Sequence, residues 1–147
     1  MTDTIKVAVI GAGMMGKNHL KTYKGLNGVE LVGVYDIFPE ACKAAAETFG
    51  IKAFSSLEEV AENVDAVSVV TTSVTHAEVG EFFLNRGIHC LMEKPLATTE
   101  AECQRLISAA KNNNVTLLVG HIEQFNPAVE QMHKILSDTS KICSLTA

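Results

Sequence analysis

Several protein classes are excluded by what the chain lacks. Its four cysteines, Cys42, Cys90, Cys103 and Cys143, form no CxxC pair and no Cys/His ligand spacing, so neither a metal site nor a disulfide framework is signalled. Buried, reduced thiols in a cytosolic protein are the expected state. No basic run is longer than a pair and the net charge is −5, which argues against a nucleic-acid surface. No apolar stretch approaches the roughly 18–20 residues that cross a bilayer, so no membrane contact is expected. The start, MTDTIKVAV, has neither the basic region nor the apolar run of a signal peptide, and the cytoplasm is the expected location. Internal repeats, low-complexity tracts and Pro/Gly-rich linkers are missing too.

What is present suits one α/β domain. At 147 residues, 47% apolar and 20% charged, the chain can bury roughly 70% of its unfolded surface without covalent staples. Short β-rich runs at Ile5–Ile10, Glu30–Tyr35, Lys52–Phe54, Val64–Val70, Ile88–Met92 and Val115–Val119 alternate with helical patterns. The helical patterns cover Met14–Leu26, Pro39–Phe49, Ser56–Ala61, Thr75–Arg86 and Glu100–Asn112. VAVI, AVSVV and TLLV are apolar without alternation, which indicates strands buried on both faces. Strands separated by helices predict right-handed crossovers, hence a doubly wound parallel sheet with helices on both faces. Ser56 and Glu59 have the spacing of a capping box, and Gly50 and Gly87 fall where helices should stop. Pro127–Leu136 reads as a further helix, and Lys141–Ala147 starts an alternating pattern that suggests a strand of another domain.

The first strand runs directly into GAGMMG, Gly11 to Gly16, and a helix follows. In that context a GxGxxG triplet is a dinucleotide-binding signal. Gly11 permits the tight turn, Gly13 the approach of a pyrophosphate and Gly16 close helix–strand packing. Free amides and the positive dipole end of the helix face the phosphates. Asp36 closes the second strand twenty positions after Gly16, where a carboxylate can accept the ribose hydroxyls. A 2′-phosphate would meet that carboxylate as like charge, and Ile37, Phe38 and Pro39 offer no compensating cation, so NAD is favoured over NADP. A methyltransferase binding S-adenosylmethionine also uses a glycine-rich first loop, but the pyrophosphate-type spacing argues against it.

In a parallel sheet, ligands sit beyond the carboxyl ends of the strands. Those ends read Gly11–Gly16, Asp36, Thr71–Ser73, Glu93–Lys94 and Gly120–His121. The charge at Glu93 and Lys94 follows a buried run and precedes Pro95, and such a placement predicts a turn that aims Lys94 into the cleft. A cis Lys94–Pro95 bond would make it, since cis proline marks tight turns. His121 is a candidate for the same cleft, whereas His19, His89 and His133 read as structural.

VIGAGMMGKNH, VVTTSVTH, MEKPLA and GHIEQFNPA together resemble the N-terminal domain of the glucose–fructose oxidoreductase and inositol dehydrogenase (Gfo/Idh/MocA) family. The resemblance implies a Rossmann NAD-binding domain over residues 1–137, with residues 138–147 beginning a second α/β domain. By that implication the chain is a fragment of a longer dehydrogenase, a homo-oligomer when full length. Gly11, Gly13 and Gly16 then form the phosphate loop, with Met14 and Met15 giving backbone contacts. Asp36 is the ribose acid with Ile37 beside it, Thr71 and Thr72 line the nicotinamide side, and His76 takes the family's histidine position, as a cofactor contact or as a residue that only starts its helix. Glu93 and Lys94 match the EKP pair, with Lys94 as the catalytic residue near the substrate hydroxyl and the nicotinamide, and Glu93 orienting it or supporting the cofactor. The chain departs from the common pattern at Thr72, where many members have proline, and at Gln124, where many have arginine. GHIEQFNPAV most resembles members that oxidise nucleotide-linked amino sugars.

The implied activity is hydride transfer from a carbinol of a sugar, polyol or nucleotide sugar to NAD, without a metal. The fragment itself is expected to be inactive. A free-standing NAD-binding sensor or interaction module without turnover is the competing reading.

Overall fold

A computed structural model describes residues 4–136; the expected strand at Lys141–Ala147 and Cys143 lie outside the described residues. Six strands, β1 (Ile5–Ile10), β2 (Val29–Tyr35), β3 (Lys52–Ala53), β4 (Ala66–Val69), β5 (His89–Met92) and β6 (Leu117–Val119), form one sheet in the order β3-β2-β1-β4-β5-β6. Every pairing is parallel. The order reverses between β1 and β4, which opens a crevice at the carboxyl edge of the sheet.

Six helices connect or follow the strands: α1 (Met14–Lys24), α2 (Pro39–Phe49), α3 (Leu57–Ala61), α4 (His76–Leu84), α5 (Glu100–Asn112) and α6 (Pro127–Leu136). The strands are shorter at their ends than the apolar runs suggest, because Val64 and Val115 pack outside the hydrogen-bonded ladder. Alternate residues of the strands serve two cores. Val9 and Val34 pack with Leu20 of α1 and Cys42, Ala45 and Ala46 of α2. Ala8, Ile10, Val67, Val69, Cys90 and Met92 pack with Val60, Phe83, Leu84 and Leu106 from α3, α4 and α5. Burial raises the thiols of Cys42 and Cys90, the latter to about 12, so both remain protonated packing groups.

The reciprocal capping box falls elsewhere than expected. Ser56 Oγ accepts from the Glu59 amide at 3.1 Å, but the Glu59 carboxylate turns to the Ser55 amide and hydroxyl at 2.8 and 2.7 Å and to Lys52 Nζ at 2.7 Å. Thr99 and Glu102 close the full box at the start of α5. Lys52 and Ser55 together offer the Glu59 carboxylate a cation and two further donors, where the Ser56 amide could offer a single N–H.

The Lys52 bond, then those from Ser55, lower the Glu59 carboxyl from 4.5 to about 2. A carboxyl depressed by folding stabilises the native state fully above pH 4.5, and this contribution disappears as the pH falls toward 2. Glu59→Gln should therefore lower the melting temperature at neutral pH. The difference from wild type should shrink across that acid window, and thermal scans at stepped pH check it.

Candidate functional site

Strand register places the site. Tyr35, Ile10, Val69, Met92 and Val119 lie side by side across β2, β1, β4, β5 and β6. The ladder then runs one residue further: Gly11 N donates to Tyr35 O, Val70 N to Ile10 O, Glu93 N to Val69 O and Gly120 N to Met92 O, at 2.7 to 3.0 Å. Asp36, Gly11, Val70, Glu93 and Gly120 thus form the next row, and the chain leaves the sheet there in five consecutive loops. Residues 57 or more apart in sequence, such as Asp36 and Glu93, share one rim only because all these strands point the same way.

The glycine loop is shaped as a phosphate cradle. Gly11 has φ of +107°, a conformation side chains rarely adopt, and its amide is held by Tyr35. A Cβ on Gly16 would come within 1.9 Å of Gly11 O, whereas one on Gly13 would meet no protein atom within 4 Å. Gly13 is the N-cap of α1 and supplies no side-chain cap. The first-turn amides of α1, on Met14, Met15 and Gly16, are therefore available to an anion. Met14 is 80% exposed.

Asp36 is fixed at both oxygens: Ala12 N donates to Oδ2 at 2.7 Å and Phe38 N to Oδ1 at 2.9 Å. A carboxylate accepts about four hydrogen bonds, so one lone pair on each oxygen is left for a diol. Ile37 and Phe38 stand exposed beside it. This donor and acceptor set fits NAD: backbone amides for the pyrophosphate and an anchored acid for the ribose.

At the other end of the rim, Thr71 is half-buried and Thr72 exposed. The Thr75 hydroxyl lies 2.9 Å from Thr71 Oγ1 and from Thr72 O. His76 is only 1% exposed. Its Nδ1 is 2.8 Å from Pro95 O and its Nε2 3.1 Å from Thr71 O, so the ring ties the loop after β4 to the loop after β5. Neutral imidazole has one N–H and donates to one of the two carbonyls at a time. The Lys94–Pro95 peptide is cis, as expected, and Lys94 is exposed at the carboxyl edge of β5. Glu93 is buried, and its Oε2 accepts from the Lys94 amide at 3.2 Å. His121 is exposed at the same rim beyond β6.

One contact escaped the sequence reading. His19 of α1, expected to be structural, places Nε2 3.1 Å from Glu93 Oε1. A signal existed: Gly16, His19, Leu20 and Tyr23 occupy the inward stripe of α1, with Gly16 and Leu20 buried and the other two half-buried, so His19 is a polar residue at a core-facing position.

The sequence pattern of the oxidoreductase family with an NAD-binding Rossmann fold, Gfo/Idh/MocA, matches residues 5–121. The chain belongs to this family. UDP-N-acetylglucosamine 3-dehydrogenase from Acidithiobacillus ferrooxidans is 34% identical over 130 residues, 88% of this chain and 41% of that protein. Its crystal structure superposes with a TM-score of 0.84, covering 89% of this chain and 41% of the other. Inositol 2-dehydrogenase from Salmonella typhimurium is 30% identical over 139 residues, 90% of this chain and 41% of that protein. GenD2 from gentamicin A biosynthesis, in complex with NAD, is 27% identical with a TM-score of 0.90, covering 98% of this chain and 42% of the other. The chain spans about two fifths of the length of the relatives it matches. Gfo/Idh/MocA membership makes this an NAD-binding Rossmann domain of an oxidoreductase family. Among the described residues, no helix is long and apolar enough to cross a membrane, and no three His, Cys, Asp or Glu side chains are grouped to hold a metal ion.

Proposed function

We propose that this chain is the cofactor half, residues 1–137, of a cytoplasmic, homo-oligomeric dehydrogenase that oxidises a carbinol of a sugar, polyol or nucleotide sugar. The observation that carries the reading is the shared rim: the phosphate loop, the anchored Asp36, Thr71 and the Glu93–Lys94 pair follow consecutive strands at one register row. Gly11, Gly13 and Gly16 with the amides of Met14 and Met15 hold the pyrophosphate. Asp36 holds the ribose, with Ile37 beside it, and Thr71, Thr72 and Glu93 border the nicotinamide end. Bound NAD supplies the hydride acceptor. Lys94 serves the substrate: its amine hydrogen-bonds the reacting hydroxyl and, with a separate proton acceptor, assists loss of the O–H proton as the C–H hydride leaves. His76 lies between the Thr71 and Pro95 carbonyls and donates to one of them at a time, which keeps the two loops beside Lys94 in contact. A nucleotide sugar is favoured as the substrate by the GHIEQFNPAV stretch and by the likeness to a UDP-N-acetylglucosamine dehydrogenase.

The chain by itself should bind NAD without turnover. Orientation supplies roughly 7–11 kcal/mol of such a barrier, Lys94 stands exposed, and the larger part of each matched relative has no counterpart in these 147 residues. Calorimetry with NAD, followed by an NADH assay against sugars, polyols and nucleotide sugars, tests both halves of the reading. Absence of NAD binding would overturn the cofactor assignment, and sustained NADH formation would show that the substrate is held within this domain.

A further inference from the structure

We propose that His19 is a positioning residue of the cleft, acting on Lys94 through the carboxylate of Glu93. Glu93 is the first residue after β5 and is only 7% exposed. Three elements close around its carboxylate. From α1, His19 Nε2 reaches Oε1 at 3.1 Å. From the chain just after β5, the Lys94 amide donates to Oε2 at 3.2 Å. From the end of β6, Gly120 leaves the space: a Cβ there would stand 3.1 Å from Oε1.

A carboxylate withdrawn from water keeps its place while its oxygens have donors. His19 is the side-chain partner of Oε1, and its own side chain is 15% exposed. If the ring is lost, the cheapest response is for the carboxylate to rotate toward the open cleft, which takes Oε2 away from the Lys94 amide and frees the residue before Pro95. The arrangement also joins the two ends of the site. The helix whose first-turn amides face the pyrophosphate carries, one turn further along, the histidine that fixes Glu93. The phosphate loop and Lys94 are therefore spaced by one rigid helix and one carboxylate, not by two independent loops. The inference rests on the reading of Lys94 and NAD given above.

Amide and imidazole NMR of this chain, with NAD titration, tests it. His19→Ala should move the Lys94 amide proton upfield in the ligand-free chain and weaken NAD binding about two- to tenfold, as loss of one such hydrogen bond implies. His19→Gln, whose side-chain amide can still donate to Oε1, should restore both. Tyr23→Phe removes another contact from α1 to the sheet, the 2.6 Å bond to Ser68 Oγ, and should leave the Lys94 amide where it is. An unmoved Lys94 amide in His19→Ala, or an equal movement in Tyr23→Phe, overturns the proposal. Should His19→Ala not fold, Glu93→Gln replaces it and must shift both the Lys94 amide and the His19 ring signals; a change at only one of them overturns it. A wild-type chain that binds no NAD overturns the cofactor reading alone, because the Lys94 amide reports on His19 without ligand.

Discussion

Gly16→Ala should abolish NAD binding and lower the melting temperature by about 6–12 °C, taking an overpacking cost near 3 kcal/mol and a few degrees per kcal/mol for a domain of this size. The added Cβ would lie 1.9 Å from Gly11 O and 2.9 Å from Gly11 C, and these are backbone atoms with no rotamer to change. Gly11 cannot retreat, because its amide is bonded to Tyr35 O at 2.7 Å and its Cα side faces Val70 O, which a Cβ there would approach to 2.6 Å. The strain must open the join between β1 and α1, the same backbone that carries the phosphate amides. Gly13→Ala separates fold from cofactor. Its φ of −66° suits alanine and its Cβ meets nothing within 4 Å, so the variant should melt with the wild type yet bind NAD at least about tenfold more weakly, the added methyl standing where the pyrophosphate approaches. Thermal melts and calorimetry on both variants check the pair. A Gly16→Ala chain with wild-type melting and NAD affinity would refute the close-approach argument.

NAD should bind about 100-fold more tightly than NADP, and Asp36→Ala should remove most of that gap by weakening NAD about 10- to 100-fold. Hydrogen bonds to a charged group are worth roughly 1.5–3 kcal/mol, which is the source of that range. Anchoring is the reason to expect a large effect. With Oδ1 on the Phe38 amide and Oδ2 on the Ala12 amide, the carboxylate cannot swing aside to admit a 2′-phosphate, and Ile37, Phe38 and Pro39 supply no cation. Asp36→Asn keeps an oxygen acceptor without the charge and should fall between wild type and Asp36→Ala for NAD while tolerating NADP better than wild type. Parallel titrations of both nucleotides measure the ratio, and equal wild-type affinities would remove Asp36 from its assigned role.

Much of the molecule was legible from local pattern. The βα alternation, the unalternating apolar strands and the GxGxxG turn each depend on neighbours within a few residues. Period and turn chemistry are local properties, so the six strands, the six helices and the rim residues Gly11, Asp36, Thr71 and Glu93 could be read in order. Local pattern misassigned what had local competitors. Glu59 has the spacing of a box with Ser56, yet its carboxylate is drawn to Lys52 on β3. His19 was invisible for a different reason: its partner Glu93 lies 74 residues away, and the two meet only because β1 and β4 pair at the centre of the sheet, with β5 beside β4, beneath the inward stripe of α1. The bond between Ala12 and Asp36 likewise exists because Ile10 and Tyr35 share a register. The sequence by itself determined the elements, the cofactor class and the edge of the sheet where the candidate site residues collect. Tertiary structure alone decided which carboxylates are anchored, by what and at what distance, because those contacts are set by strand order and register, and register is fixed only when every strand's buried residues find their core together.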